Sequence, residues 1–181
     1  MRRFLWPLVA FALLVVVLAI GLKHAPEKGV IKSPLIGKNA PQYELPDLKD
    51  PARTLRSEDL QGGWHVVNVW GTWCGECRVE HSQLLAISRE GRVPIIGIDW
   101  KDDDAQANAW LASLGDPYAR VGADRDGRVS INWGVYGAPE TFLVNPAGIV
   151  VAKHIGAMTP EKWQQWSSEF VHPAAAGAGA P

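Results

Sequence analysis

Val66-Val67-Asn68-Val69-Trp70-Gly71-Thr72-Trp73-Cys74-Gly75-Glu76-Cys77-Arg78 runs from a short β-branched stretch into the chain's only two cysteines. Val66 to Trp70 has the length and side chains of a buried strand. From Cys74 to Arg89 the apolar positions Val79, Leu84, Leu85 and Ile87 predict an amphipathic helix, despite its polar first turns. Val93 to Trp100 predicts a second strand, and strand, helix, strand predicts a right-handed parallel unit. Cys74 then stands at the mouth of the helix and Cys77 about one turn inside, so their side chains can meet. Unpaired N–H groups and the helix dipole favour an anion there, which brings a thiol from a pKa of about 8.5 toward ~7 or lower. Cys74 is the candidate nucleophile. It would attack a partner disulfide to give a mixed disulfide, which Cys77 would resolve.

Other readings of the pair are weaker. A metal site could use Cys74, Cys77 and His81, but structural zinc takes four ligands and no second cysteine or histidine pair is near. Covalent haem attachment needs histidine directly after the second cysteine, where this chain has Arg78. A purely structural disulfide closes so short a loop that its entropic value is low.

Further along the chain, Asp102, Asp103 and Asp104 precede a predicted helix from Ala105 to Leu114 that Gly115 and Pro117 close. Asp124-Arg125-Asp126-Gly127 has a glycine placed as in a calcium loop, but Trp133 stands where the closing glutamate belongs, so the stretch predicts a turn. Thr141–Val144 and Ile149–His154, joined by Asn145-Pro146-Ala147-Gly148, predict an antiparallel hairpin. Thr159-Pro160-Glu161 opens a last helix to about Val171, and residues 173–181 are Ala, Gly and Pro only, a composition expected to be disordered. With 18 basic and 19 acidic side chains and no basic stripe, the 181-residue chain has no nucleic-acid footprint. Its length fits one domain with appendages. Nine tryptophans are present, and Trp70, Trp73, Trp100 and Trp133 flank the segments above, where rigid aromatics pack and shape a groove.

Phe4 to Leu22 is nineteen residues without a charge, about 28 Å as a helix. Arg2 and Arg3 precede it, so the positive-inside rule puts the amino end in the cytoplasm and the rest outside. Residues 1–22 are expected to be a membrane anchor and 23–34 a linker carrying Pro26, Gly29 and Pro34. A cleaved signal peptide, with Ala19 and Gly21 at the cleavage site, is the competing reading. Both export the domain to a disulfide-permissive compartment.

The motifs taken together resemble one family. Leu-Ile-Gly-Lys at 35–38, Asn-Val-Trp-Gly-Thr-Trp-Cys at 68–74, Cys-Arg-Val-Glu-His at 77–81 and Gly-Val-Tyr-Gly-Ala-Pro-Glu-Thr-Phe-Leu-Val at 134–144 are similar to the DsbE/CcmG family. Lys101-Asp102-Asp103 and Leu114-Gly115-Asp116-Pro117-Tyr118-Ala119 also fit its pattern. The resemblance implies a thioredoxin-like α/β domain over 35–172, a central mixed β-sheet flanked by helices, with an N-terminal transmembrane helix. It implies a periplasmic, inner-membrane-tethered reductant in cytochrome c maturation that needs no cofactor or metal beyond a redox-active Cys74–Cys77 disulfide. Its expected substrates are apocytochrome c or a CcmH-type dithiol protein, with electrons from a DsbD/CcdA-type transmembrane donor.

The resemblance also assigns a cis-proline at Pro139, facing the cysteine pair. Its implied substrate-facing set is Trp73, Tyr136, Ala138, Pro139 and Glu140. Asn68 stands where thioredoxin has a buried aspartate, and a neutral amide cannot take a proton from Cys77. Glu80, one turn beyond Cys77, is the candidate to do so, against the alternative of a solvated helix residue. Gly75-Glu76 between the cysteines departs from the family's usual proline and threonine, and puts negative charge beside Cys74. A general extracytoplasmic oxidase or isomerase, and a non-catalytic apocytochrome-binding protein, are the competing functions.

Overall fold

The computed structural model describes residues 2–23 and 33–169, which form two units, one within residues 1–32 and one from residue 33 onward. In the first, helix α1 runs over Arg2–Lys23. Its side chains are described at Trp6, Pro7 and Val9 to Leu18, all exposed within this unit. Among the described residues no helix is long and apolar enough to cross a membrane. Most of the expected linker and the whole of the expected disordered tail, 173–181, lie outside the described residues.

In the second unit, β1 (Glu44–Pro46) and β2 (Thr54–Arg56) form a small antiparallel hairpin, followed by a 3-10 turn at Ser57–Leu60. The main sheet comprises β3 (His65–Trp70), β4 (Ile95–Trp100), β5 (Arg120–Asp124), β6 (Glu140–Val144) and β7 (Val150–Ile155). Its spatial order is β5-β4-β3-β6-β7, with β3, β4 and β5 parallel and β6 and β7 antiparallel to their neighbours. Helices α2 (Gly75–Glu90), α3 (Asp104–Leu114), α4 (Arg128–Asn132) and α5 (Pro160–Glu169) complete the unit. The mixed sheet is the expected one, and the predicted hairpin is β6 paired with β7.

Every residue of central β3 is buried, which is why its sequence reads as a continuous run. The two-residue period of a strand then sorts its side chains. Val66 and Trp70 join the cluster that contains Leu84 and Ile87 of α2, Trp110 of α3, Trp163 and Trp166 of α5, and both cysteines. Val67 and Val69 join the second cluster, with Leu45, Leu55, Trp133 and Phe142. Asn68 falls on the first face, among the helices, with no exposure.

On α2 the buried positions are Cys77, Glu80, His81, Leu84 and Ile87, the stripe expected of a period near 3.6. Val79, counted as a core position from the sequence, is 67% exposed, because two residues from Cys77 places it on the opposite face. The sequence pattern passed over Glu80 and His81 because they are polar.

Candidate active site

The turn after β3 delivers Cys74 to the start of α2. Gly71 is needed there: an added Cβ would lie 2.5 Å from Nε1 of the Trp73 indole that folds back over it. Asp102, on the turn between β4 and α3, accepts from the backbone N–H of Thr72 and, at 2.8 Å, from its hydroxyl. Trp73 Nε1 donates to the Trp100 carbonyl at 3.0 Å, and the two indoles meet edge to face at 5.5 Å. The loop entering the helix is thus tied to the neighbouring strand end at two points. Cys74 caps α2, its sulfur accepting from the Cys77 N–H at 3.0 Å. That is the contact a Cys74 thiolate would keep, with the helix dipole behind it. The two cysteines form a disulfide with their Cα atoms 5.3 Å apart, and both are buried, Cys77 the more deeply at 2% exposure.

Glu80 is buried, 1% exposed, so it is no solvated helix residue. Its Oε1 accepts from Asn68 Nδ2 at 2.8 Å and its Oε2 from the Met158 N–H at 2.7 Å. Asn68 also donates to Thr141 Oγ1 at 3.0 Å and accepts from the Tyr118 hydroxyl at 2.9 Å. Burial pushes the Glu80 carboxyl up to about 7, against the two hydrogen bonds, which favour its charged form. A carboxyl near neutrality, three residues from Cys77 on the same buried stripe, can hold or release a proton at working pH. Asn68 does not take that proton; it aims the group that can. Gly97 lets this happen, since a Cβ there would meet Trp70 and Tyr118 at 2.9–3.1 Å.

The Ala138–Pro139 bond is cis, and the Pro139 carbonyl accepts from the Gly156 N–H at 2.9 Å. Ala138 packs against the cluster that holds Cys74 and Cys77. Trp73 and Tyr136 are 53% and 60% exposed, and Val79 of α2 also faces outward. Glu140 is a correction. Its side chain is fully buried and paired with Lys153 at 2.7 Å, so it does not face a substrate as the resemblance implied. Asp99 was missed, hidden in what reads as an apolar strand. It is 2% exposed, and burial, with Asp102 and Asp104 close by, pushes its carboxyl up to about 8. His81 turns Nε2 to the Gly115 carbonyl at 2.9 Å and its ring edge to Trp110 at 4.3 Å, which accounts for it as a core histidine.

The Redoxin family model matches residues 35–167. A thiol:disulfide interchange protein DsbE from Allochromatium vinosum is 46% identical over 164 residues, covering 91% of this chain and 90% of that protein. The DsbE protein of Pseudomonas aeruginosa is 44% identical over 161 residues, 89% of this chain and 88% of that one. The chain belongs to the DsbE family of thiol:disulfide interchange proteins. Solved structures agree on the fold. A secreted thiol-disulfide isomerase from Corynebacterium glutamicum has a TM-score of 0.63 at 20% identity, over 70% of this chain and 81% of that one. An exposed lipoprotein thioredoxin from Streptococcus pneumoniae has a TM-score of 0.61 at 20% identity, over 71% and 99%. As a DsbE-family oxidoreductase the protein works with its own cysteines, Cys74 and Cys77, and requires no cofactor.

Proposed function

We propose that this DsbE-family protein is a membrane-tethered periplasmic reductant that keeps apocytochrome c thiols, or those of a CcmH-type dithiol partner, reduced during cytochrome c maturation. The observation that carries the reducing direction is Glu80, a buried carboxyl raised to about 7 on the same helix face as Cys77. In the reduced protein, the Cys74 thiolate attacks one sulfur of the partner's disulfide. That bond breaks, a mixed disulfide forms, and the first partner thiolate leaves. Glu80 takes the Cys77 proton, and the Cys77 thiolate attacks the Cys74 sulfur. The Cys74–Cys77 disulfide forms as the second partner thiolate leaves, so the partner gains two electrons and this protein loses two. A carboxylate beside the sulfurs disfavours thiolate, and a less stabilised thiolate makes a weaker oxidant.

The disulfide must then be reduced from outside the domain, and a transmembrane donor of DsbD/CcdA type fits a protein held at the membrane. Support for the tether is the uncharged run from Phe4 to Leu22, which lies within a single 22-residue helix. The test is the equilibrium reduction potential of the full-length protein in detergent, against glutathione or thioredoxin. A value near thioredoxin's ~-270 mV is expected, and a value near ~-120 mV would mark a disulfide-forming oxidant and overturn the reading.

A further inference from the structure

Among the described residues, Lys153 is a buried cation that the exchange chemistry does not use. Lys153 stands on β7 with its side chain 4% exposed, its Nζ 2.7 Å from Oε2 of the fully buried Glu140. The same ammonium donates to the Gly134 carbonyl at 2.8 Å. It also lies 4.4 Å over the Tyr136 ring and 5.2 Å from that of Phe142. The other Glu140 oxygen accepts from the Tyr136 N–H at 3.2 Å. Gly134, Tyr136 and Glu140 are the start, middle and end of the segment that carries Ala138 and Pro139.

Burying an ammonium and a carboxylate costs several kcal/mol per ion before pairing, and an apolar pair of similar volume is often as stable or more so. Stability alone therefore gives no reason for charges at these two positions. What the pair does that an apolar pair could not is grip three separate points of one loop: a carbonyl, a backbone N–H and a ring face. Within the loop Tyr136 is exposed, whereas Ala138 packs on the cluster of the cysteines.

We propose that Lys153, acting through Glu140, is a positioning residue for protein substrates: it holds the 134–139 segment in the shape that receives an extended polypeptide beside Cys74. This rests on the reading that the natural substrate is a protein disulfide. A small disulfide needs only the Cys74 sulfur, whereas a polypeptide must also lie along the loop. Loosening the latch therefore acts on one class of substrate and spares the other.

The experiment uses the full-length protein in detergent and two substrates, a disulfide-bonded peptide and the small aromatic disulfide dithiobis(nitrobenzoate). Lys153→Met and the double variant Lys153→Met/Glu140→Leu are compared with the wild type. The double variant removes both buried charges together, so it keeps the fold where the single one fails to. Each protein is reduced beforehand and followed through a single turnover, and the ratio of its second-order rate constants for the peptide and the small disulfide is expected to fall about tenfold or more in each folded variant, the scale of a misplaced binding element. The reduction potential is expected to be unchanged. A folded double variant with the wild-type ratio, or a loss shared equally by both substrates, overturns the proposal. A wild-type protein that reduces the small disulfide and leaves the peptide untouched overturns instead the protein-reductase reading, and this one with it.

Discussion

Glu80 carries the sharpest single-residue consequences. Its carboxyl titrates at about 7 in the folded chain against about 4.5 when free, so folding takes up a proton between those values. The folded state then binds more protons than the unfolded one across that window, and stability from this group falls as pH rises through it. The shift corresponds to about 3 kcal/mol, all of it lost by the time the pH passes 7. Denaturant titrations from pH 4.5 to 7 should show that decline in the wild type and a flatter one in Glu80→Gln. Asp99, raised to about 8, acts with the same sign and extends the decline past neutrality, where Asp99→Asn should remove it. In catalysis, Glu80→Gln should slow peptide-disulfide reduction about a hundredfold at neutral pH and erase a step near pH 7 in the rate profile. Glu76 is different: it is exposed in the first turn of α2, and its charge reaches Cys74 through solvent. Glu76→Thr should lower the Cys74 pKa and raise the reduction potential by about 10–30 mV, and equal potentials in the two proteins would refute that assignment.

At the scale of elements, the buried polar network depends on how closely β3 and β4 let Tyr118 approach. Trp70 stacks between Trp110 and Tyr118, with ring centroids 5.0 and 5.4 Å away, and Gly97 leaves the space. Gly97→Ala would press a methyl into two packed aromatic rings that have no room to yield. It should cost about 1–3 kcal/mol in denaturant unfolding. The same variant should shift the rate profile near pH 7, because the Tyr118 hydroxyl bonds Asn68 and Asn68 bonds Glu80. These elements also show what the sequence made legible. β3, α2, β4, α3, the β6–β7 hairpin and the start of α5 were readable because each has either a continuous apolar run, a helical stripe or a marked cap. The hairpin of β1 and β2 was not, because three-residue strands are too short to show a period. β5 was missed because Arg120-Val121-Gly122-Ala123-Asp124 begins and ends on charges, and Asp124 is buried only by donors from Val129 and Ser130 that lie beyond it in α4. In the site, Cys74 and Cys77 were legible from spacing, whereas the Glu80 partners Asn68 and Met158 lie 12 and 78 residues away, Lys153 lies beyond the turn that separates it from Glu140, and only folding brings them together.

The whole molecule divides into an apolar N-terminal helix and a domain whose two clusters are both closed by its own elements. That division has a physical consequence for each part. Every described α1 side chain from Val9 to Leu18 is exposed within its own unit, so in water the helix would present apolar surface all round, which a lipid environment removes. The domain, by contrast, packs Trp163 and Trp166 of α5 against its core, and the described members of both clusters all come from the second unit. A chain starting at Ser33 should therefore fold, stay in solution and keep the small-disulfide rate and reduction potential of the full-length protein. The full-length protein should sediment with membranes and resist alkaline extraction, which strips proteins bound only by charge. Sequencing the amino terminus of the membrane fraction then separates the two fates of the helix. A start at Met1 or Arg2 means a retained anchor. A start shortly after Gly21 means a cleaved leader and a freely diffusing domain, and the proposed reductant would then have to meet its donor by diffusion.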